Sequence, residues 1–326
     1  MQAVVFDKFG EPDAVLRLAE RPVPAPGPGE VRVRMRLRPI NPADLLTVRG
    51  LYGTRPRLPA VPGYEGVGVV DALGEGVSTP VPGTRVVPLA SNGTWQEFCV
   101  TKAAALLPVP DAIGDENAAQ FVVNPLTALA MVEQELGAGP GDWLVQTAAG
   151  STLGRIVLQL ARISGFRTIN LVRRPEQAAE LTALGADLVI ATEDPDAAGR
   201  VAAATAGQPV LRAIDAAGGA MAATALSLLS PGATMLSFGM MSGEPIPVDP
   251  AHLVFRDLSL RGFWLTNWMR RAGNERRQAL IARLGDLMAR GLVAPPVFAV
   301  HPLTAVLAAV AASERPGRAG KVLLAG

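Results

Sequence analysis

The residues best placed to do chemistry lie in 143–174, WLVQTAAGSTLGRIVLQLARISGFRTINLVRR. Trp143 to Val145 is a short apolar run that predicts a buried strand. Gly150, Ser151, Thr152, Leu153 and Gly154 read as a turn. Ile156, Val157, Leu160, Ala161 and Ile163 then recur at helical spacing, up to a stop at Gly165. Thr168 to Val172 predicts the next strand. Strand, glycine turn, helix, strand is the unit that sets a pyrophosphate at a helix N-terminus, where backbone N–H groups lack partners and the dipole favours negative charge. Gly150 lets a phosphate approach the backbone. Ser151 and Thr152 can cap the helix or donate a hydroxyl to phosphate, and Gly154 lets the helix sit close to the strand. Ala148 stands where the full glycine fingerprint has its first glycine, so the pattern draws its weight from its place between two strands.

The end of the second strand speaks to which dinucleotide is bound. An NAD site carries Asp or Glu there, about 20 residues past the first glycine, to bond the ribose hydroxyls. Here the strand runs into Val172, Arg173 and Arg174, with no acid. Two guanidinium groups suit a 2′-phosphate, which they can grip bidentately. The expectation is NADPH, with a solvated pair of surface arginines as the plain alternative.

The rest of the chain must position this unit. At 326 residues, two domains or one large one are expected, and a 49% hydrophobic fraction is ample for sizeable cores. A net charge of +1 gives no support to nucleic-acid binding. One cysteine, Cys99, excludes an intrachain disulfide framework and a multi-cysteine zinc site; its plain reading is a buried strand residue. No apolar run reaches the ~18 residues of a membrane helix, and no charged-then-apolar leader is visible. The expectation is a soluble, cytoplasmic protein with no membrane partner.

Residues 1–120 read as all-β, with short strands at Ala3–Phe6, Val31–Leu37, Gly66–Leu73, Thr84–Pro88 and Glu97–Val100 between Gly/Pro turns. The strict alternation from Val31 to Arg38 predicts one buried face and one arginine face. Asn41–Leu46 turns briefly helical. Asn117–Glu135 reads as helices broken at Asn124-Pro125. Strands and helices then alternate through a last strand at Leu258–Leu265, which predicts a doubly wound parallel sheet. A long helix at Asn274–Arg290 and a final strand at Gly320–Leu324 read as a return to the first domain. The expected domains are 1–120, 121–265 and 266–326.

With those features in place, the chain resembles the medium-chain dehydrogenase/reductase superfamily, whose fold is a GroES-like β-rich domain plus a Rossmann doubly wound sheet (class α/β). The zinc ligands of its alcohol dehydrogenases, a His in Gly-His-Glu and a Cys near 41–44, are replaced here by Gly63-Tyr64-Glu65-Gly66 and Asn41-Pro42-Ala43-Asp44. No metal is therefore expected to polarise an oxygen. Among the zinc-free members the chain resembles the mitochondrial-type 2-enoyl thioester reductases. The matching stretches are PINPADLLTVRGLYG at 39–53, LPAVPGYEGVGVV at 58–70, GTWQEF at 93–98, VNPLTAL at 123–129, FRTINLVRRP at 166–175, FRDLSLRGFWLTNW at 255–268 and GKVLL at 320–324.

That resemblance implies reduction of the C2=C3 bond of an enoyl-CoA or enoyl-acyl-carrier-protein by NADPH. Tyr52 matches the family's catalytic tyrosine, a phenol near pKa 10 that stays protonated at neutral pH and can donate to an enolate. Its plain alternative is an aromatic packed on a Gly-rich loop. Trp264 is placed in the same catalytic pocket. Asn124, the turn Gly150–Leu153, Arg173, Arg174, Phe238, Gly239, Met240, Met241, Phe263, Trp264, Leu265 and Lys321 match cofactor-contacting positions. Arg270, Arg271, Arg276 and Arg277 could meet CoA phosphates or an acidic carrier protein, or could be a solvated helix face. A homodimer through the strand at Leu258–Leu265 is implied by resemblance. The alternatives are an NADPH:quinone or other activated-alkene reductase, and a non-catalytic NADPH-binding protein.

Overall fold

A computed structural model describes residues 1–90 and 92–326. The chain divides into two compact units, one made of Met1–Asn124 and Met288–Gly326, the other of Pro125–Leu287. The return to the first unit thus begins at Met288, where the sequence pattern placed it at 266.

In the first unit β1 (Gln2–Val5) pairs antiparallel with β2 (Arg17–Glu20), a strand too short and polar to be read from the sequence. Then come β3 (Glu30–Pro39), β4 (Val67–Leu73), β5 (Arg85–Pro88), β6 (Phe98–Lys102) and β7 (Leu106–Pro108). On β3 the alternation holds for Val31, Val33 and Met35, which pack on Val70, Val86 and Cys99. Burial pushes the Cys99 thiol up to about 12, so it stays a protonated core residue.

The alternation fails at Arg38. It was expected on the arginine face, but it is fully buried. Its guanidinium donates to the carbonyls of Thr94 at 3.1 Å, Gln96 at 2.7 Å and Leu324 at 3.4 Å. A rigid fork of donors matched by backbone acceptors explains how a cation can lie in the core. Burial lowers its pKa to about 10.

The second unit holds six parallel strands, β8 (Trp143–Gln146), β9 (Arg167–Val172), β10 (Leu188–Ala191), β11 (Arg212–Asp215), β12 (Thr234–Ser237) and β13 (Ser259–Gly262). Their order is β10-β9-β8-β11-β12-β13. The chain reverses direction across the sheet beside β8, and ligands bind such sheets at the carboxyl ends of the strands at that switch point. Val145, Ile169, Leu171, Ala213 and Met235 are buried along the strands, as a sheet covered on both faces requires.

Two local readings are corrected here. The run Leu258–Leu265 is not one strand: β13 ends at Gly262, and a helix begins at Leu265 and runs to Arg271. Asn124-Pro125 does not break a helix either. The break falls earlier, between helices Asp115–Ala119 and Val123–Leu129, and Pro125 sits in the first turn of the second. A proline is tolerated there because its missing N–H would have had no intrahelical acceptor.

Finally β14 (Val297–Pro302) pairs parallel with β15 (Lys321–Ala325), and β15 pairs antiparallel with β3. This completes the mixed sheet of the first unit, a GroES-like domain beside a Rossmann unit in the chain. Among the described residues no helix is long and apolar enough to cross a membrane.

Candidate active site

In the second unit, Ser151 caps the helix Thr152–Ser164 by accepting the Gly154 N–H at 3.1 Å. Of its two expected roles, the cap is the one the structure shows. Ala148 has φ of 49°, the left-handed conformation that a first glycine would take without strain. At Gly154 a Cβ would lie 2.3 Å from the Ala149 carbonyl oxygen, so helix and turn meet backbone to backbone. The Thr152 hydroxyl is buried and, among the described residues, has no hydrogen-bond partner. An orphaned hydroxyl at the start of a helix fits a phosphate oxygen, which would supply both an acceptor and a negative charge.

Past the ends of β9 and β10 lies a cavity of about 420 Å³ lined by Val172, Pro175, Ala178, Val189 and Ala191 and by the charged Glu193, Asp194 and Arg200. Arg173 and Arg174 are exposed beside it. At the next strand ends, Gly239 packs so closely on Ala216 that a Cβ would meet its carbonyl oxygen at 2.6 Å. Phe238 is half-buried, Met240 and Met241 are exposed, and the Phe263 N–H donates to Ser237 at 2.7 Å. Trp264 precedes the helix Leu265–Arg271.

Asp215 was not anticipated. It is fully buried at the end of β11 and accepts the Thr147 hydroxyl at 2.7 Å and the Ala217 and Gly218 N–H groups at 3.0 and 3.1 Å. It thereby ties the residue before the glycine turn to the loop after β11. Only the strand order brings Thr147 to Asp215, so no local pattern could have shown it.

The four arginines after Trp264 separate into two kinds. The Arg276 guanidinium lies over the Trp268 ring, and Arg277 donates to the Met269 carbonyl. Arg270 and Arg271, with Asn267, instead border a cavity of about 320 Å³.

In the first unit the stretch 41–65 folds around a buried polar cluster. Asn41, Asp44, Glu65 and Lys321 are each at most 3% exposed. The Asn41 N–H donates to Asp44 Oδ2 at 2.7 Å and opens the helix Pro42–Val48. Glu65 accepts Asn41 Nδ2 at 2.7 Å and the Val122 and Val123 N–H groups at 2.9 and 2.7 Å. Asn124 Nδ2 donates to Asn41 Oδ1 at 3.2 Å. Burial raises the Asp44 pKa to about 7, with Glu65 adding to it. Burial also raises Glu65, against the pull of its N–H donors and Lys321. Lys321 is lowered to about 8 by burial. It is a core residue, which removes the reading of an ordinary surface lysine.

Tyr52 and Tyr64 are neighbours, with ring centroids 5.2 Å apart and planes at 43°. The Thr47 hydroxyl donates to the Ala43 carbonyl at 2.9 Å, so at its 2.6 Å contact with Tyr64 the tyrosine is the donor. Burial raises the Tyr64 pKa. Among the described residues no group of three or more His, Cys, Asp or Glu is placed to hold a metal. An amide and a phenol committed to hydrogen bonds are not a zinc donor set, so the residues at 41 and 64 do not fit that ion.

Two family models match the chain: "Alcohol dehydrogenase GroES-like domain" over residues 27–111 and "Zinc-binding dehydrogenase" over 152–284. The mitochondrial enoyl-[acyl-carrier-protein] reductase of Arabidopsis thaliana is 39% identical, over 82% of this chain and 73% of its own. A mycobacterial quinone oxidoreductase is 30% identical with a TM-score of 0.86, covering 100% of both chains. A 2-enoyl thioester reductase of Candida tropicalis, solved with NADP and crotonyl-CoA, is 25% identical with a TM-score of 0.90, over 100% of this chain and 99% of that one. The curated relatives are named as mitochondrial, which overturns the expectation of a cytoplasmic protein. The lack of a membrane-length apolar run, on which that expectation leaned, does not distinguish one aqueous compartment from another. The fold, the dinucleotide turn and these likenesses agree: the chain is a nicotinamide-dependent oxidoreductase of the medium-chain dehydrogenase/reductase superfamily and belongs to its enoyl-[acyl-carrier-protein] reductase family.

Proposed function

We propose that the protein reduces the C2=C3 double bond of a 2-enoyl thioester with NADPH. The observation that carries this reading is the Tyr52–Tyr64 pair in a loop whose side chains do not fit zinc. Tyr52, which the resemblance matches to the family's catalytic tyrosine, is the phenol assigned to the substrate. Reduction of an enoyl thioester builds negative charge on the thioester oxygen, which a positioned phenol stabilises by donating a hydrogen bond.

When bound, NADPH supplies the hydride that adds to the β-carbon. Tyr52 then donates to the enolate oxygen as charge develops and supports protonation of the α-carbon. Trp264 and the Phe263–Leu265 segment wall the acyl group, with Met240 and Met241 as adaptable apolar surface. The turn Gly150–Leu153 with Gly154 holds the pyrophosphate, Arg173 and Arg174 the 2′-phosphate, and Asn124, Lys321, Phe238 and Gly239 the nicotinamide half. Arg270 and Arg271 suit the phosphates of CoA or the acidic face of a carrier protein. The chain pairs with a second copy through β13, the edge strand of its sheet, near which Phe255 is 84% exposed.

The test is NADPH oxidation measured side by side with crotonyl-CoA and with an ortho-quinone. Faster turnover of crotonyl-CoA supports the proposal. The likeness to a quinone oxidoreductase favours a second reading, reduction of quinones, and faster turnover of the quinone would establish it.

A further inference from the structure

The amide of Asn124 stands at the end of a directional chain of hydrogen bonds. An ionised carboxylate has acceptors only. Glu65 receives the Val122 and Val123 N–H groups on Oε2, so Oε1 is left for Asn41, which must turn its amino group toward it. Asn41 then presents its carbonyl oxygen on the other branch, and Asn124 must answer with Nδ2. The carbonyl Oδ1 of Asn124 is thus the branch directed away from Asn41. The order follows from the ionised state of Glu65, whose two oxygens can only accept. Lys321, buried in the same cluster, supplies the positive charge that favours an ionised Glu65.

We propose that Glu65 is a positioning residue that sets the hydrogen-bond polarity of Asn124 through Asn41. Asn124 therefore offers an acceptor and selects a ligand group that donates, a hydroxyl or amide N–H of the dinucleotide's nicotinamide half. This rests on the reading that Asn124 meets the cofactor.

Glu65→Gln tests it with almost no change of shape. The two backbone N–H groups still require an acceptor, so the new amide oxygen stays on them and its amino group faces Asn41. Asn41 must invert, Asn124 must invert, and a donor now meets a donor. We expect NADPH to bind about 10-fold more weakly or worse, the scale of an unmade hydrogen bond, with the melting temperature little changed. Adding Asn124→Asp to that variant restores an acceptor on both branches and should recover most of the binding. Asn124→Asp alone sets a carboxylate against the Asn41 carbonyl and should bind more weakly than Asn124→Ala.

Wild-type NADPH binding in Asn124→Ala overturns the reading that Asn124 meets the cofactor. Weak binding in Asn124→Ala with wild-type binding in Glu65→Gln overturns the chain alone. Failure of Asn124→Asp to rescue Glu65→Gln shows a merely structural carboxylate and also overturns it. Should Glu65→Gln not fold, Asn124→Asp binding NADPH as well as Asn124→Ala does refutes the proposal by itself.

Discussion

The two units build their binding groups in opposite ways. In the second, the glycine turn is made of neighbours in sequence, from Ala148 to Gly154, and the polar atoms it presents are mostly backbone N–H groups at a helix start. In the first, Asn41, Glu65, Asn124 and Lys321 come from four distant segments, and their working atoms are side-chain amides and charges. A backbone site depends on steric room and tolerates many side chains. A side-chain site depends on identity, since a single amide or charge decides which way every bond in the cluster points.

The largest expected effect lies in the first unit. Tyr52→Phe should lower turnover of crotonyl-CoA by about 10²-fold or more, the scale of a lost proton donor. NADPH affinity, read by fluorescence titration, should stay unchanged. An unaltered rate would remove Tyr52 from the chemistry.

Steric room is tested next. Gly154→Ala should destabilise the protein by about 1–3 kcal/mol, the cost of overpacking a tight contact, because its Cβ meets backbone that cannot step aside. Ala148→Gly should act in the opposite direction, adding up to about 1 kcal/mol by relieving a left-handed alanine. Thermal melts of the pair decide: equal signs would show that the turn is not governed by backbone approach.

Double replacement of Arg173 and Arg174 by Ala should raise the KM for NADPH about 10-fold, as expected for loss of charge-assisted bonds. The KM for NADH should hold. A parallel rise for both cofactors would remove the arginines from 2′-phosphate recognition.

The last comparison concerns the side-chain cluster and pH. Asp44 holds its proton up to about 7 in the folded chain, against 3.8 for the free group. The folded state therefore binds more protons than the unfolded state between those values, and stability is lost as pH rises from about 4 through about 7. Asp44→Asn should flatten that fall in a series of melts across the window. The same slope in both proteins would show that Asp44 is not its source.

How much was legible in the sequence follows the same division. The glycine turn and the alternating strands and helices could be read because their signals are local periodicities. The resemblance named Tyr52, Asn124 and Lys321 but said nothing of their surroundings. The buried Arg38 broke a perfect alternation, because its neighbours are carbonyls of segments 56 and 286 residues away. Asp215 and the Glu65–Asn41–Asn124 chain escaped for the same reason: each depends on which strands and loops end side by side. The helix start at Leu265 was missed because an aromatic run satisfies strand and helix patterns equally.

The insertion of one unit within the other has a consequence for the order of assembly. The second unit, 125–287, is an unbroken stretch that can close its own sheet as soon as it has been synthesised. The first unit must wait, because β3 finds its neighbour β15 only after the second unit has been made. Until then the carboxylates of Asp44 and Glu65 lack the lysine carried by β15. A ribosome that stops before β15 leaves the sheet of the second unit complete and the polar cluster of the first without its lysine.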